Sequence, residues 1–78
     1  MSNLEKYENA FVKALEVSPE EVSVLVYGQS ASWDSVGHMT LVANLEDAFD
    51  IMMDMDDIID LSSFEKGKEI LRKYDVEI

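Results

Sequence analysis

Ser35, His38 and the aspartates from Asp54 to Asp60 are the residues whose types and spacing bear most directly on chemistry. Ser35 follows Asp34, and His38 stands three positions further on. A serine nucleophile needs a histidine base that a third group holds in place. The chain has a single histidine and no identifiable orienting partner for it, so Ser35 is not expected to activate itself. The aspartates suggest a calcium loop: with Asp54 at position one, Asp56 falls at three, Asp60 at seven and Glu65 at twelve. Ile58 and Ile59 then fill positions five and six, where a ligand and a glycine are needed, and that register fails. Cysteine is absent, which removes disulfides, thiolate zinc sites and cysteine nucleophiles. The expectation is a protein that is not an enzyme and holds no specific metal.

The charge balance narrows the partners. Seventeen acidic and six basic side chains leave the 78-residue chain at -11 near neutral pH. Nucleic acid is disfavoured because phosphate binding depends on Lys and Arg releasing counterions. Anionic membrane surfaces are disfavoured on the same ground. From Glu16 to Glu65 every fully charged side chain is an acid, while the bases sit at the two ends as Lys6, Lys13, Lys66, Lys68, Arg72 and Lys73. Such a block faces solvent or a protein with a basic patch, found by electrostatic steering. The length fits one domain over 1–78, and hydrophobic content of 47% is too high for a disordered acidic tail. No apolar stretch approaches a membrane span, and the N-terminus lacks the features of a secretion signal. The sequence reads as a complete, soluble, cytoplasmic monomer.

The elements that must position these residues follow from periodicity. Ser2 and Glu5 have capping-box spacing, and Leu4, Tyr7, Phe11, Ala14 and Leu15 repeat at three- and four-residue steps, which predicts a helix over 3–16. Pro19 ends it, and Ser18-Pro19-Glu20-Glu21 can cap one short turn carrying Val22 and Leu25. Residues 22–27 resemble a strand, but no convincing second strand exists to pair with it; an ordered apolar loop over the helices is expected. Asp34 or Ser35 opens the longest helix, 35–50, apolar on most sides as far as Leu45. Glu46, Asp47 and Asp50 at its C-terminal end oppose the helix dipole, which points to binding rather than stability. A short helix within 54–61 should turn Ile58, Ile59 and Leu61 inward and Asp56, Asp57 and Asp60 outward. Ser62 and Glu65 have capping-box spacing for a last helix, 63–74, burying Phe64, Gly67, Ile70, Leu71 and Tyr74. The fold class is all-α: a small four-helix bundle with a long first loop and a short third helix.

The run Trp33-Asp34-Ser35-Val36-Gly37-His38-Met39 resembles the acyl carrier protein family, which includes peptidyl and D-alanyl carriers. In that family an Asp-Ser-Leu motif opens the second helix, and here it reads Asp34-Ser35-Val36. The likeness runs on through Leu41, Leu45-Glu46-Asp47-Ala48-Phe49, Ile51, the acids of Asp54 to Asp57, Leu61-Ser62-Ser63-Phe64 and the closing helix, so it covers essentially the whole chain. The resemblance implies a 4'-phosphopantetheine arm joined to Ser35, transferred from coenzyme A by a separate phosphopantetheinyl transferase with a metal ion. It also implies a thiol that holds acyl groups as thioesters, and partners that load and transfer those groups. A phosphodiester at Ser35 would suit the first helical turn, where unpaired backbone N–H groups point. The small residues before Ser35 and Gly37 after it are expected to leave room for the modifying enzyme.

Asp34, Val36 and Met39 around the arm's root, with Glu46, Asp47, Asp50, Asp54, Asp56 and Asp57, are the expected partner contacts. Core positions remain an equal alternative for Val36 and Met39. His38 is expected to be exposed. Gly37 and Thr40 stand where fatty-acid carriers often have acids, Trp33 replaces a small residue and Val36 replaces leucine. These departures point to a specialised stand-alone carrier of a lipid, polysaccharide, peptide or secondary-metabolite pathway. Two other readings are a peptidyl or aminoacyl carrier, D-alanyl-like, and an acidic helical docking module without a prosthetic group.

Overall fold

The first helix is built by its cap. Ser2 Oγ accepts the Glu5 backbone N–H at 3.2 Å, and the Glu5 carboxylate accepts the Ser2 N–H at 3.3 Å. Two backbone donors at the helix start are thereby satisfied. In this computed structural model, which describes residues 2–78, α1 runs Asn3–Leu15 and buries Tyr7, Ala10, Phe11 and Leu15. It ends on Glu16 in the left-handed region (φ 55°), one residue short of the expected end. Leu4, expected on the buried face, is exposed.

The chain then crosses the bundle in a long loop. Ser18 Oγ donates to Glu21 at 2.9 Å, and a single 3₁₀ turn at Val22–Val24 follows, with Val22 and Leu25 buried. The loop is ordered by local bonds and by one antiparallel bridge between Val26 and Ser63, where Tyr27 N–H donates to Ser62 O at 3.0 Å. Val24 and Val26 alternate outward, so the apolar run here is only half used for the core.

Asp34 caps α2, Ser35–Phe49, by accepting the Gly37 N–H at 2.8 Å. α3 is Met55–Asp60, and α4 is Phe64–Arg72. The α4 cap is Ser63, whose hydroxyl accepts the Lys66 N–H at 3.1 Å; the expected Ser62–Glu65 box lies one residue early. Ser62 instead spends its carbonyl on the first loop. Past Arg72 the chain continues as turns, with Val76 N–H bonded to Leu71 O and Val76 buried.

The four helices enclose one core. Tyr7, Phe11 and Phe64 meet with ring centroids 4.7 to 5.3 Å apart, and Trp33 stands edge-on to Phe11 at 5.4 Å. Leu41, Leu45, Leu61 and Leu71 complete it. Tyr7 Oη donates to Phe64 O at 2.5 Å, joining α1 to the first turn of α4. Burial, with a smaller push from the Glu65 charge, holds that phenol far above its ordinary titration range. Gly67 makes the joint possible: a Cβ there would sit 2.0 Å from Tyr7 Oη. The architecture is the expected all-α bundle with a long first loop and a short third helix.

Candidate functional site at the start of the second helix

Ser35 is the first residue of α2 and is exposed. Among the described residues nothing bonds its hydroxyl. Asp34, extended at φ -99°, takes the Gly37 N–H, and His38 N–H bonds Asp34 O at 2.8 Å. The N–H groups of Ser35 and Val36 are the helix-start donors left without an intrahelical partner. They lend partial positive charge to the space beside the hydroxyl.

The first turn is held by close packing on one side. A Cβ at Gly37 would meet Leu15 Cδ2 at 2.9 Å and Ser32 O at 3.1 Å. Gly37 is buried against α1 and the loop, so the room expected there for a modifying enzyme is taken by Leu15. An open groove of about 470 Å³ borders the same turn, lined in part by Asp34, Val36, Thr40, Ala31 and Ser32.

The opposite side is open. Val36 is 76% exposed and Met39 59%, so neither is core. On α3, Met55 and Ile59 are exposed too, the latter at 68%. Ile59 was expected inward and Asp57 outward; α3 is turned so that these two exchange places. The inward place suits Asp57 because partners await it. Lys73 Nζ donates to Asp57 Oδ1, and Tyr74 Oη donates to Oδ2 at 2.6 Å. The hydrogen bonds from Lys73 and Tyr74, with the Lys73 charge, hold the Asp57 carboxyl below the usual carboxylate range despite burial. Asp57 therefore leaves the set of expected partner contacts.

The other acids divide. Asp34, Asp47, Asp50, Asp54 and Asp56 are exposed. Glu46 is half-buried, and its Oε2 accepts the Met53 N–H at 2.9 Å, fastening the turn between α2 and α3. Asp50 occupies the left-handed C-cap of α2 at φ 53°, a conformation that Asp adopts more easily than most residues. Both have local structural roles, which corrects the expectation that stability does not explain them. Asp47 borders an open groove between α1 and α2 of about 210 Å³, together with Lys6, Asn9, Lys13 and Asn44.

His38 departs most from expectation. It is 5% exposed. Trp33 Nε1–H donates to its Nδ1 at 3.0 Å, its Nε2 lies 2.7 Å from Ile58 O, and Tyr27 stacks on the ring at 4.5 Å and 7°. A signal for this existed: His38, Leu41, Val42 and Leu45 follow the i, i+3, i+4, i+7 spacing of the buried stripe. Trp33, fully buried, also needs an acceptor for its indole N–H.

No helix is long and apolar enough to cross a membrane among the described residues. Compared with protein-family models, curated proteins and solved structures, the chain matches none.

Proposed function

We propose that this chain is a carrier protein, not an enzyme, which holds acyl or related intermediates on a 4'-phosphopantetheine arm at Ser35 and presents them to partner enzymes. The observation that carries the reading is an exposed, unbonded serine hydroxyl at the first position of the longest helix, within Asp34-Ser35-Val36. The residues present fit the group. The backbone N–H groups of Ser35 and Val36 favour a phosphodiester charge, and Asp34 is already engaged by Gly37. When bound, the arm supplies a thiol on which cargo is held as a thioester, chemistry that a cysteine-free chain otherwise lacks.

The chain's own residues then display and orient. Val36 and Met39 offer apolar contact beside the arm's root, and Asp34, Asp47, Asp50, Asp54 and Asp56 face Lys and Arg on a transferase or on acyl-loading and acyl-transfer enzymes. Exposed charges of this kind are worth under about 1 kcal/mol each and act jointly on encounter rate and orientation. We place the protein, as a monomer, in the cytoplasm and in a specialised lipid, polysaccharide or secondary-metabolite pathway. The peptidyl and aminoacyl carriers share this mechanism with different cargo.

The test is to incubate the protein with coenzyme A and a promiscuous phosphopantetheinyl transferase, then weigh it intact. One added arm is expected, absent from Ser35→Ala. No added mass in the wild type would leave a docking module without a prosthetic group; an arm on Ser30 or Ser32 would overturn the site.

A further inference from the structure

The groove beside the first turn of α2 is bounded by three segments. These are the end of α1 at Ala14 and Glu16, the loop at Ala31 and Ser32, and α2 at Val36 and Thr40. Short side chains at Ala14, Ala31 and Ser32 keep it open, and it encloses about 470 Å³. Ser35 stands in the chain between two residues that line it, Asp34 and Val36.

The loop wall carries hydrogen-bonding groups that the fold does not use. Among the described residues, the backbone N–H and C=O groups of Ala31 and Ser32 and the Ser32 hydroxyl have no partner, whereas the next residue, Trp33, donates its N–H to Ser30 O at 3.0 Å. On the α2 wall, Thr40 Oγ1 donates to Val36 O at 3.0 Å and keeps its lone pairs for accepting. The charged side chains at the groove, Glu16 and Asp34, are both acids, so an anion is disfavoured there and a neutral ligand is not. Free donors beside free acceptors match secondary amides, each of which brings one N–H and one C=O. A hydrocarbon chain would cover the same groups without satisfying them. The floor is closed, since a Cβ at Gly37 would meet Leu15 Cδ2 at 2.9 Å.

The 4'-phosphopantetheine arm has the matching chemistry. Beyond its phosphodiester come a dimethyl-substituted carbon, a hydroxyl, two secondary amides and then the thiol. We infer that this groove is the resting site of the arm, with its amides on Ala31, Ser32 and Thr40 and its dimethyl carbon on Val36. The inference rests on the carrier reading and adds a direction to it: the arm lies on the α1 and loop side of α2, not toward Met55 and Ile59 of α3. Attachment at Ser35 gives the arm a high effective concentration at the groove, so contacts too weak to hold free pantetheine suffice. Hydrogen bonds to groups that water can reach are individually weak, which lets a partner enzyme draw the arm out.

The experiment converts the full chain, labelled with ¹³C and ¹⁵N, to its loaded form with unlabelled coenzyme A and a promiscuous phosphopantetheinyl transferase. Intact mass reports attachment, and isotope-filtered NOEs report which protein protons meet the arm. Contacts are expected to the Ala14 and Ala31 methyl groups and to Ser32, Val36 and Thr40, with none to Ile59. Amide exchange at Ala31 and Ser32 should slow several-fold relative to the unmodified chain. Ala31→Phe fills the groove from an exposed position, so it should still gain one arm and lose the Ala14 and Thr40 contacts. Ile59→Ala should keep them. One added arm with no contacts, contacts at Met55 and Ile59 instead, or Ala14 contacts that survive in Ala31→Phe would overturn the groove site and leave the carrier reading standing. A wild-type chain that gains no arm would overturn both.

Discussion

The inner joint between α1 and α4 and the exposed sides of α2 and α3 use apolar residues in opposite ways. At the joint, Tyr7, Phe11, Phe64 and Gly67 interlock with no room for a methyl group, and the Tyr7 phenol is bonded across the interface. On the exposed sides of α2 and α3 and in the turn between them, Val36, Met39, Met52, Met55 and Ile59 stand in solvent. In a chain of 78 residues, apolar side chains left out of the core are expensive, because a small domain has little burial to spare. The contrast separates a region that holds the fold from one that displays a surface, and α2 belongs to both. Its His38, Leu41, Val42 and Leu45 face inward while Ser35, Val36 and Met39 face out.

Substitutions should break this contrast unequally. Gly67→Ala is expected to have the largest effect, about 3 kcal/mol, because its new Cβ displaces the Tyr7 ring from a filled core. Denaturant unfolding measures it, and a loss under about 1 kcal/mol would mean that the joint yields easily. Asp57→Asn should come next, lowering the melting temperature at neutral pH by less than Gly67→Ala does. Because Lys73 and Tyr74 depress the Asp57 titration, that carboxylate's contribution is full above the ordinary carboxylate range and is lost as pH falls through its lowered value. The gap between wild type and Asp57→Asn should therefore close below about pH 4. Thermal melts in a pH series check the sign; a gap that widens in acid would contradict it.

Salt should act more weakly and on the whole acidic surface. Raising ionic strength from low to physiological should lift the melting temperature by a few degrees, since single-sign charges from Glu16 to Glu65 repel one another. An unchanged melt would show that the acids are spaced widely enough not to interact. The smallest stability effect belongs to the exposed residues of α2: Val36→Ala and Met39→Ala should stay within about 0.5 kcal/mol of wild type, and under the proposed carrier function they should slow modification of Ser35 by a transferase. A large loss of stability there would put those side chains in the core and erase the contrast.

Much of the scaffold was legible because its signals are local. Ser2 with Glu5, Pro19 after α1 and Asp34 before α2 each act within a few residues, and each element they bound appears where expected. The serine cap of α4 was placed one residue early because Ser62 and Ser63 are equivalent in sequence; the pairing of Ser62 O with the first loop separates them. Ser35 was legible as a helix-opening serine beside a capping aspartate. Its openness on one side and its packing through Gly37 on the other were not.

The bounds of α1 and α2 to within a residue, the order of the elements and the clustering of acids follow from residue types acting on near neighbours, which is why reading along the chain recovers them; α4 ends at Arg72, short of the expected 74, with Tyr74 half-buried in the turns that follow. Which way α3 turns is decided elsewhere: Asp57 goes inward because Lys73 and Tyr74 arrive from the far end of the chain to meet its carboxylate, and Ile59 is pushed out in exchange. His38 likewise goes under because Trp33, Tyr27 and Ile58 O converge on it. Burying a polar group is tolerated only when its partners are supplied, and those partners come together only in the folded chain.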